Sequence, residues 1–512
     1  MQAWMPASAL SNMVEGLEIM AASSHNRPRL LMLAAHEPYD DPRVDWAARS
    51  ALKSHEVDVL GLHNSNSRRS DVEDTPQGYR IWRAVRSPGE RTGLSFLLPL
   101  FAFAIRKRIS RRSKWLLLLA SPLALVALLA EMGIRFCGTL LAMLWPRFCV
   151  KALRSVLSSI KAQGSGKPFL YRLRMFRGTL IHVSQATNAF LSLAAKACPT
   201  PSVIYCNDLD TLVAGVILKA RTGARLIHDS HEYWPHSNVE ACSLHVRFFI
   251  WLERYLIKHA DAVITVSDPL AREMERVYAY KPILVVPNAE PWMDYSGKSR
   301  MHGDLSRLAN GRVSFLFQGN FAPQRGLEEL IDAWQGVDAT RAALFLRGPD
   351  NQWKDELQER ARRRGLLNNA VYFLPPVCVE ELIDAAREAD VGIIPYKTDS
   401  PAYCFACPNK LSQYMQSGIA LLSNNIGYVA QHIDAAGCGA VYDCRAPETI
   451  VAAVEKLAGN RELLGTFKSN SWVYSRDVFN WERQSQPLDE VLLTFALTEG
   501  ASECVSSCGR GN

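Results

Sequence analysis

The sequence predicts an α/β chain of two open-sheet domains, and three observations carry that reading. The run ADVGIIPY (389–396) and the run IALLSNN after Gly418 read as buried strands; between them lie a loop and a helical stretch, Asn409 to Ser417, closed by Gly418. Residues 202–236 read as strand (Val203 to Cys206), turn, helix (Thr211 to Arg221) and strand (Arg225 to Asp229), a βαβ unit. At 512 residues, with 48% apolar and 21% charged residues, the chain has room for two domains plus extras.

In an open parallel sheet, ligands sit outside the carboxyl ends of the strands, and a helix N-terminus there offers unpaired N–H groups to a phosphate. The loop Asp399 to Lys410 is therefore the expected seat of an anionic ligand. In the earlier unit, Asn207, Asp208, Asp210, Asp229, His231 and Glu232 fall at strand ends facing the cleft. A His-Glu pair taken alone is more often structural than catalytic; its place beside this turn favours a site. HEYWPH is not a zinc peptidase motif, because the second histidine is one residue too far and Pro235 breaks the helix that motif needs. Residues 29–35 read as a first strand and Asp41 to Leu52 as its helix, with Val44, Ala47, Ala48 and Ala51 along one face. His36 ends that strand within reach of an acceptor and reads equally well as a loop histidine with no role. A strand at 313–317 leads to a turn at Gly319 and a helix from Gly326; Gly319 permits close backbone approach, and Arg325 stands where a cation neutralises a leaving diphosphate.

These stretches also resemble a known family. PNKLSQYMQSG is similar to the proline, lysine and "EYMAAG" helix of retaining glycosyltransferases of family 4, whose GT-B fold is two facing Rossmann-like domains; DPRV, NDLDTL, DSHE and VVPNA match further segments of it. The resemblance covers about residues 29 to 490. It implies that His231 and Glu232 line the acceptor side of the active site, beside His36, Asn207, Asp208 and Asp210. It implies a nucleotide-sugar site built from Gly319, Asn320, Arg325, Arg347, Asn409, Lys410 and Gln413, with Pro375 to Cys378 as the base-binding loop. Two departures stand out. Arg325 occupies the family's lysine position and Asn320 its arginine position, so one of two cations is missing. The family's two glutamates fall at Phe405 and Gln413, and Gln413 retains the capacity for a ribose contact.

The expected organisation is an N-terminal extension (1–27), a Rossmann-like acceptor domain (28–290) carrying a membrane-binding insert (94–166), a Rossmann-like nucleotide-sugar domain (291–470), crossover helices (471–498) and a tail (499–512) without fixed structure from Gly500. The insert is hydrophobic, basic and helical in pattern. Between 101 and 177 there are fifteen Lys or Arg and one acidic residue, +14 in a chain of net +7, so the remainder carries −7. The uncharged run Trp115 to Ala130 has 16 residues, short of the roughly 20 that span hydrocarbon. Strands before and after the insert must join one sheet, so crossings must be even in number; a segment lying in one leaflet fits better than two spans. From 146 to 161, Arg147, Lys151, Arg154 and Lys161 fall on one helical face and Cys149, Leu153, Val156, Leu157 and Ile160 on the other, the pattern of a surface helix on an anionic leaflet. A solvated helix over the domain core is the alternative reading. Nucleic acid is disfavoured, since no stacking platform accompanies the basic residues.

The twelve cysteines are scattered without zinc-ligand spacing, which points to free thiols in a reducing compartment, and the first twenty residues lack the pattern of a signal peptide. No metal-binding aspartate pair is evident, and neither a metal nor a cofactor beyond the donor substrate is expected. The combined expectation is a retaining hexosyltransferase-like enzyme of polysaccharide biosynthesis at the cytoplasmic membrane face. It would move a sugar from a nucleotide diphosphate to a lipid-linked or glycan acceptor. A membrane scaffold with a degenerate site and a nucleotide-sugar epimerase are the rival readings.

Overall fold

The computed structural model describes residues 27–63, 69–84, 169–238, 241–295 and 303–508. The expected insert and all but the last residue of the N-terminal extension lie outside them. The first sheet has eight strands: β1 (Arg29–Leu33), β2 (Glu56–Leu62), β3 (Val72–Asp74), β4 (Arg80–Ala84), β5 (Val203–Asn207), β6 (Arg225–Ser230), β7 (Ala262–Thr265) and β8 (Leu284–Val285), in the order β3-β4-β2-β1-β5-β6-β7-β8. Only β3, against β4, is antiparallel. The second sheet holds β9 (Val313–Gln318), β10 (Ala342–Arg347), β11 (Val371–Leu374), β12 (Val391–Ile394), β13 (Ala420–Asn424) and β14 (Gly439–Tyr442) in the order β11-β10-β9-β12-β13-β14. Both sheets reverse direction of winding beside their first strand, the doubly wound arrangement with a switch point between β1 and β5 and another between β9 and β12. This is the two-domain GT-B architecture expected from the sequence.

The helices that position the site are α1 (Pro42–Leu52), α2 (Phe169–Ala197), α3 (Leu209–Thr222), α4 (Ser243–Leu256), α5 (Leu327–Ala333), α6 (Asn409–Gln416), α7 (Arg461–Asp477) and α8 (Gln486–Cys508). Pro42 occupies the first turn of α1, where its missing N–H costs nothing, and Asp41 caps it by accepting from the Arg43 and Val44 amides. The central strands of both sheets are buried along nearly their whole length, as expected where helices cover both faces. One apolar cluster runs through both domains, from Tyr233, Val263 and Met274 to Leu316, Tyr414 and Ile426.

Strands β4 and β5, which flank the insert in sequence, do lie in the same sheet, so the premise of the even-crossing argument holds. Among the described residues no helix is long and apolar enough to cross a membrane. The tail departs from expectation. Helix α8 continues to Cys508, because ASECVSS contains no proline and a single Gly500 costs a helix only about 1 kcal/mol. Chain return to the first domain is fixed by Trp481, whose ring lies 5.5 Å from that of Trp46 and whose indole N–H donates to the Ser50 hydroxyl at 3.1 Å.

Candidate active site

The residues expected on the acceptor side are built around a strained turn. Helix α3 begins at Leu209, two residues earlier than the sequence suggests, because Asp208 adopts φ +62° and ψ 172° and lets the chain pass straight from β5 into the helix. That region is close to glycine-only and costs on the order of 1–3 kcal/mol, so the surroundings must hold it. They do so twice. The Asp208 N–H donates to the Asp229 carbonyl at 2.8 Å, and the Asp208 carboxylate accepts the His231 N–H at 2.9 Å.

His231 is fixed in turn. The Asn207 side-chain amide donates to the Leu33 carbonyl at 2.8 Å, which leaves its oxygen to accept from His231 Nε2 at 3.0 Å. His231 Nε2 is 3.4 Å from Asp229 Oδ2, and Nδ1 is 3.7 Å from Asp208 Oδ2. Burial opposes a charge on this ring, but the Asp208 and Asp229 carboxylates outweigh it and raise the imidazole to about 9. Burial lifts Asp208 to about 7, with His231 opposing and Glu232 and Asp210 adding to the rise. Asp229 is different: although burial works against its charge, Arg43 and His231 hold it well below the usual carboxylate range. Glu232 is open to the cleft; loss of water raises it, Asp210 adds to this, and His231 and Arg325 offset part of the rise.

The remaining residues expected on that side, His36 and Asp210, are more loosely tied to this turn. His36 stands on the loop after β1 and pairs with Asp41 at 2.8 Å. Asp210, in the first turn of α3, is turned to His182 of α2 at 3.0 Å rather than to His231.

On the facing domain, Gly319 follows β9 at φ +145°, and a Cβ there would lie 2.7 Å from the Lys410 ammonium. Gly326 is equally constrained at φ +70°, where a Cβ would strike the Pro395 carbonyl at 1.9 Å; it delivers Arg325 to the start of α5. The Arg325 guanidinium stacks 4.4 Å from the centre of the Tyr396 ring and 5.9 Å from Tyr403. Lys410 donates to the Tyr396 hydroxyl at 3.3 Å. Burial alone would raise Tyr396, but Lys410 and Arg325 overcome it and bring the phenol below its ordinary value. Arg325 Nε is buried without a hydrogen-bond partner. Two cations thus converge at the mouth of the second sheet with donor capacity unspent.

Several expected donor residues are committed elsewhere. Arg347 is buried, donating to Gln318 Oε1 and the Ala385 carbonyl, both at 3.0 Å, and burial lowers its proton affinity; it ties the end of β10 to the end of β9 inside the sheet. Gln413 donates to Glu290 at 2.8 Å, on the face of α6 whose Ser412 and Gln416 also bind the chain crossing between domains. Its amide nitrogen is therefore engaged by Glu290, and its side-chain oxygen remains the group that can accept. Asn320 accepts from Asn351 at 3.1 Å, and Asn409 forms the first turn of α6. Phe405 packs its ring 6.1 Å from Tyr233 across the domain junction, so an apolar seam stands where the family has a carboxylate.

Three residues escaped the sequence reading. Arg43 lies inside the DPRV segment, but the helix was read for its apolar face, which gives no sign of a buried cation. Tyr396 and Tyr403 read in the sequence as a strand end and a loop residue; no spacing rule marks an aromatic that will sit under an arginine. Among the described residues no cluster of His, Cys, Asp and Glu is arranged to hold a metal ion.

Comparison with known proteins agrees with this geometry. Residues 162–289 match the glycosyl transferase 4-like domain, and residues 312–460 match the glycosyl transferases group 1 domain. The chain carries two glycosyltransferase domains. A D-inositol 3-phosphate glycosyltransferase of Geodermatophilus obscurus is 24% identical over 318 residues, 58% of this chain and 66% of the relative. The chain therefore spans just under two thirds of that protein. An α,α-trehalose-phosphate synthase (UDP-forming) from Burkholderia vietnamiensis shares the fold with a TM-score of 0.58 at 13% identity, over 91% of this chain and 100% of that one. Anabaena HepE, in complex with UDP and glucose, aligns with a TM-score of 0.54 at 13% identity, over 91% and 100%.

Two outcomes check the site's construction. Asp208→Gly and Asp208→Ala remove the same carboxylate but differ in tolerance of φ +62°, so the glycine variant should be the more stable by about 1–2 kcal/mol in denaturant unfolding; equal stabilities would mean the turn is not strained. Because His231 is raised from 6.5 to about 9, its contribution to stability is fully present below the unfolded value and is lost as pH climbs through 9. Asp208, raised to about 7, gives a loss in the same direction between its ordinary value and 7. Wild-type melting temperature should therefore fall between about pH 7 and 9. His231→Gln should flatten that fall, and an unchanged slope in the variant would remove His231 as its source.

Proposed function

We propose that the protein is a retaining glycosyltransferase that moves a sugar from a nucleotide diphosphate donor to a lipid-linked acceptor at the cytoplasmic face of a membrane. One observation carries the reading: Arg325 and Lys410 converge on Tyr396 beside the Gly319 turn, opposite the Asp208–His231 pair. Preorganised cations at a developing diphosphate charge are the largest aid such a departure can receive. Arg325 and Lys410 take the leaving diphosphate, and the α6 N-terminus adds its dipole. The acceptor hydroxyl attacks the anomeric carbon from the face the diphosphate leaves, with the configuration retained.

The acceptor's proton is assigned to the Asp208–His231 pair. With Asp208 at about 7 and His231 at about 9, the carboxylate is the group poised to accept a proton near neutral pH, while the imidazolium orients the hydroxyl. Glu232 stands at the cleft within the electrostatic reach of Arg325, where acceptor and donor meet. Membrane location is supported by the +14 segment and the two-faced pattern at 146–161. A scaffold that has lost its donor grip is favoured by one observation of its own, the engagement of Gln413 by Glu290.

Release of nucleoside diphosphate from a panel of nucleotide sugars, with membrane-extracted lipid-linked acceptors present, separates the two. Turnover is expected in the wild type, with Arg325→Ala lowering it on the order of 10²-fold or more at unchanged melting temperature. Full activity in that variant would remove Arg325 from the mechanism, and no turnover with any donor would favour the scaffold.

A further inference from the structure

Helix α4 buries His245, Phe249, Leu252, Glu253 and Leu256 against the first domain. At the helical repeat, Leu244, Arg247, Trp251, Arg254, Tyr255 and, on the following turn, Lys258 fall within about 100° on the opposite side. Leu244 is 54% exposed and Trp251 49% exposed, and the three cations are exposed as well. The aromatic rings are ordered rather than scattered: Trp251 stacks on Tyr255 with centroids 6.3 Å apart and planes at 14°, and Phe248 leans on Trp251 at 5.8 Å. The helix's one acidic residue, Glu253, is on the buried face, so every charge on the exposed face is positive.

The neighbouring helix extends the same chemistry. Phe176 of α2 touches Phe248 at 5.4 Å and Phe249 at 6.0 Å, which places the start of α2 beside α4. Helix α2 carries Arg172, Arg174, Arg177 and Lys196 and no acidic residue in its 29 positions. Its first residue, Phe169, is also where the chain returns from the basic, apolar segment 94–161. Phe169 precedes Phe176 by seven residues, about 10 Å of helix, so the described chain resumes near the exposed α4 face.

We propose that the exposed face of α4, together with the start of α2, is a docking surface for an anionic lipid bilayer. Trp and Tyr side chains favour the headgroup level, Leu244 enters the acyl boundary, and Arg and Lys keep their charges at the lipid phosphates while their stems cover apolar surface. Charge of one sign and the continuity with an apolar basic segment single out a membrane over a protein partner. The proposal rests on the membrane-docked reading and deepens it: the folded domain itself contributes to the contact and fixes which side of the molecule faces lipid.

The test uses the full chain with phosphatidylcholine vesicles, with and without phosphatidylglycerol. Leu244→Glu together with Trp251→Glu should weaken partitioning onto the anionic vesicles on the order of tenfold. In the wild type, hydrogen exchange across 243–258 should slow when anionic vesicles are added, a measurement that does not depend on the variant folding. Unchanged partitioning of the pair, with loss on reversing Arg147, Lys151 and Arg154 to glutamate, would overturn the α4 surface while leaving membrane docking in place. Exchange across 243–258 that anionic vesicles do not alter would overturn it too. A wild type that ignores every vesicle would end both.

Discussion

A single buried guanidinium ties the two halves of this molecule together. Arg43 donates to both oxygens of Asp229, at 3.0 and 2.7 Å, and also to the Val286 carbonyl and the Asn288 side chain. Asn288 passes the connection on, donating to the Cys407 carbonyl in the loop that precedes α6. One side chain thus fixes the first helix to β6, to the chain leaving the first domain, and through it to the donor loop of the second. Asp229 in turn accepts from the Tyr205 hydroxyl at 2.6 Å and, after Asp208, favours the charged form of His231. A charge pair with Arg43 at 3% and Asp229 at 0% side-chain exposure is weak evidence for stability in itself. Its importance lies in asymmetry, because removing either partner strands the other, at about 3–5 kcal/mol.

Both domains could be read from short apolar runs, because buried parallel strands between helices leave a signal in hydrophobicity alone. RLLML, VIYCN, VSFLFQ and AALFLR need no long-range information to be recognised. Strand ends placed His231, Asp208 and Gly319 at the cleft for the same reason. What could not be read was the use of each polar group once the domains met. Gln413 has the length and hydrogen-bonding ends to reach a ribose, but Glu290 arrives from 123 residues away and takes its amide. Burial raises Glu290 to about 7, and the hydrogen bond from Gln413 offsets only part of that rise. Arg347, which the resemblance assigns to the donor site, is an internal tie, and only the register of β10 against β9 reveals it.

The same logic explains how a cleft with Phe405 and Gln413 at the positions where the resemblance implies carboxylates can retain its cations. Phe405 gives up a polar contact but seals the junction against Tyr233, while Ser267 donates to its carbonyl and Ser400 donates to the His236 carbonyl. The loop 399–407 is thereby held to the first domain by backbone contacts that do not depend on a charged side chain. Lys410 and Arg325 are positioned by the Tyr396 ring, and among the described residues neither forms an ion pair with a carboxylate, Glu232 acting on Arg325 only from a distance. An anion is what such a pair lacks.

The most direct measurement is calorimetric titration of the intact protein with nucleoside monophosphates, nucleoside diphosphates and their sugars, in the presence of anionic vesicles. Saturable binding of at least one diphosphate, tighter than the matching monophosphate, is the expected result, since the second phosphate is the group that Arg325 and Lys410 are placed to hold. Absence of binding by every nucleotide, or equal binding of mono- and diphosphate, would contradict a diphosphate-binding cleft.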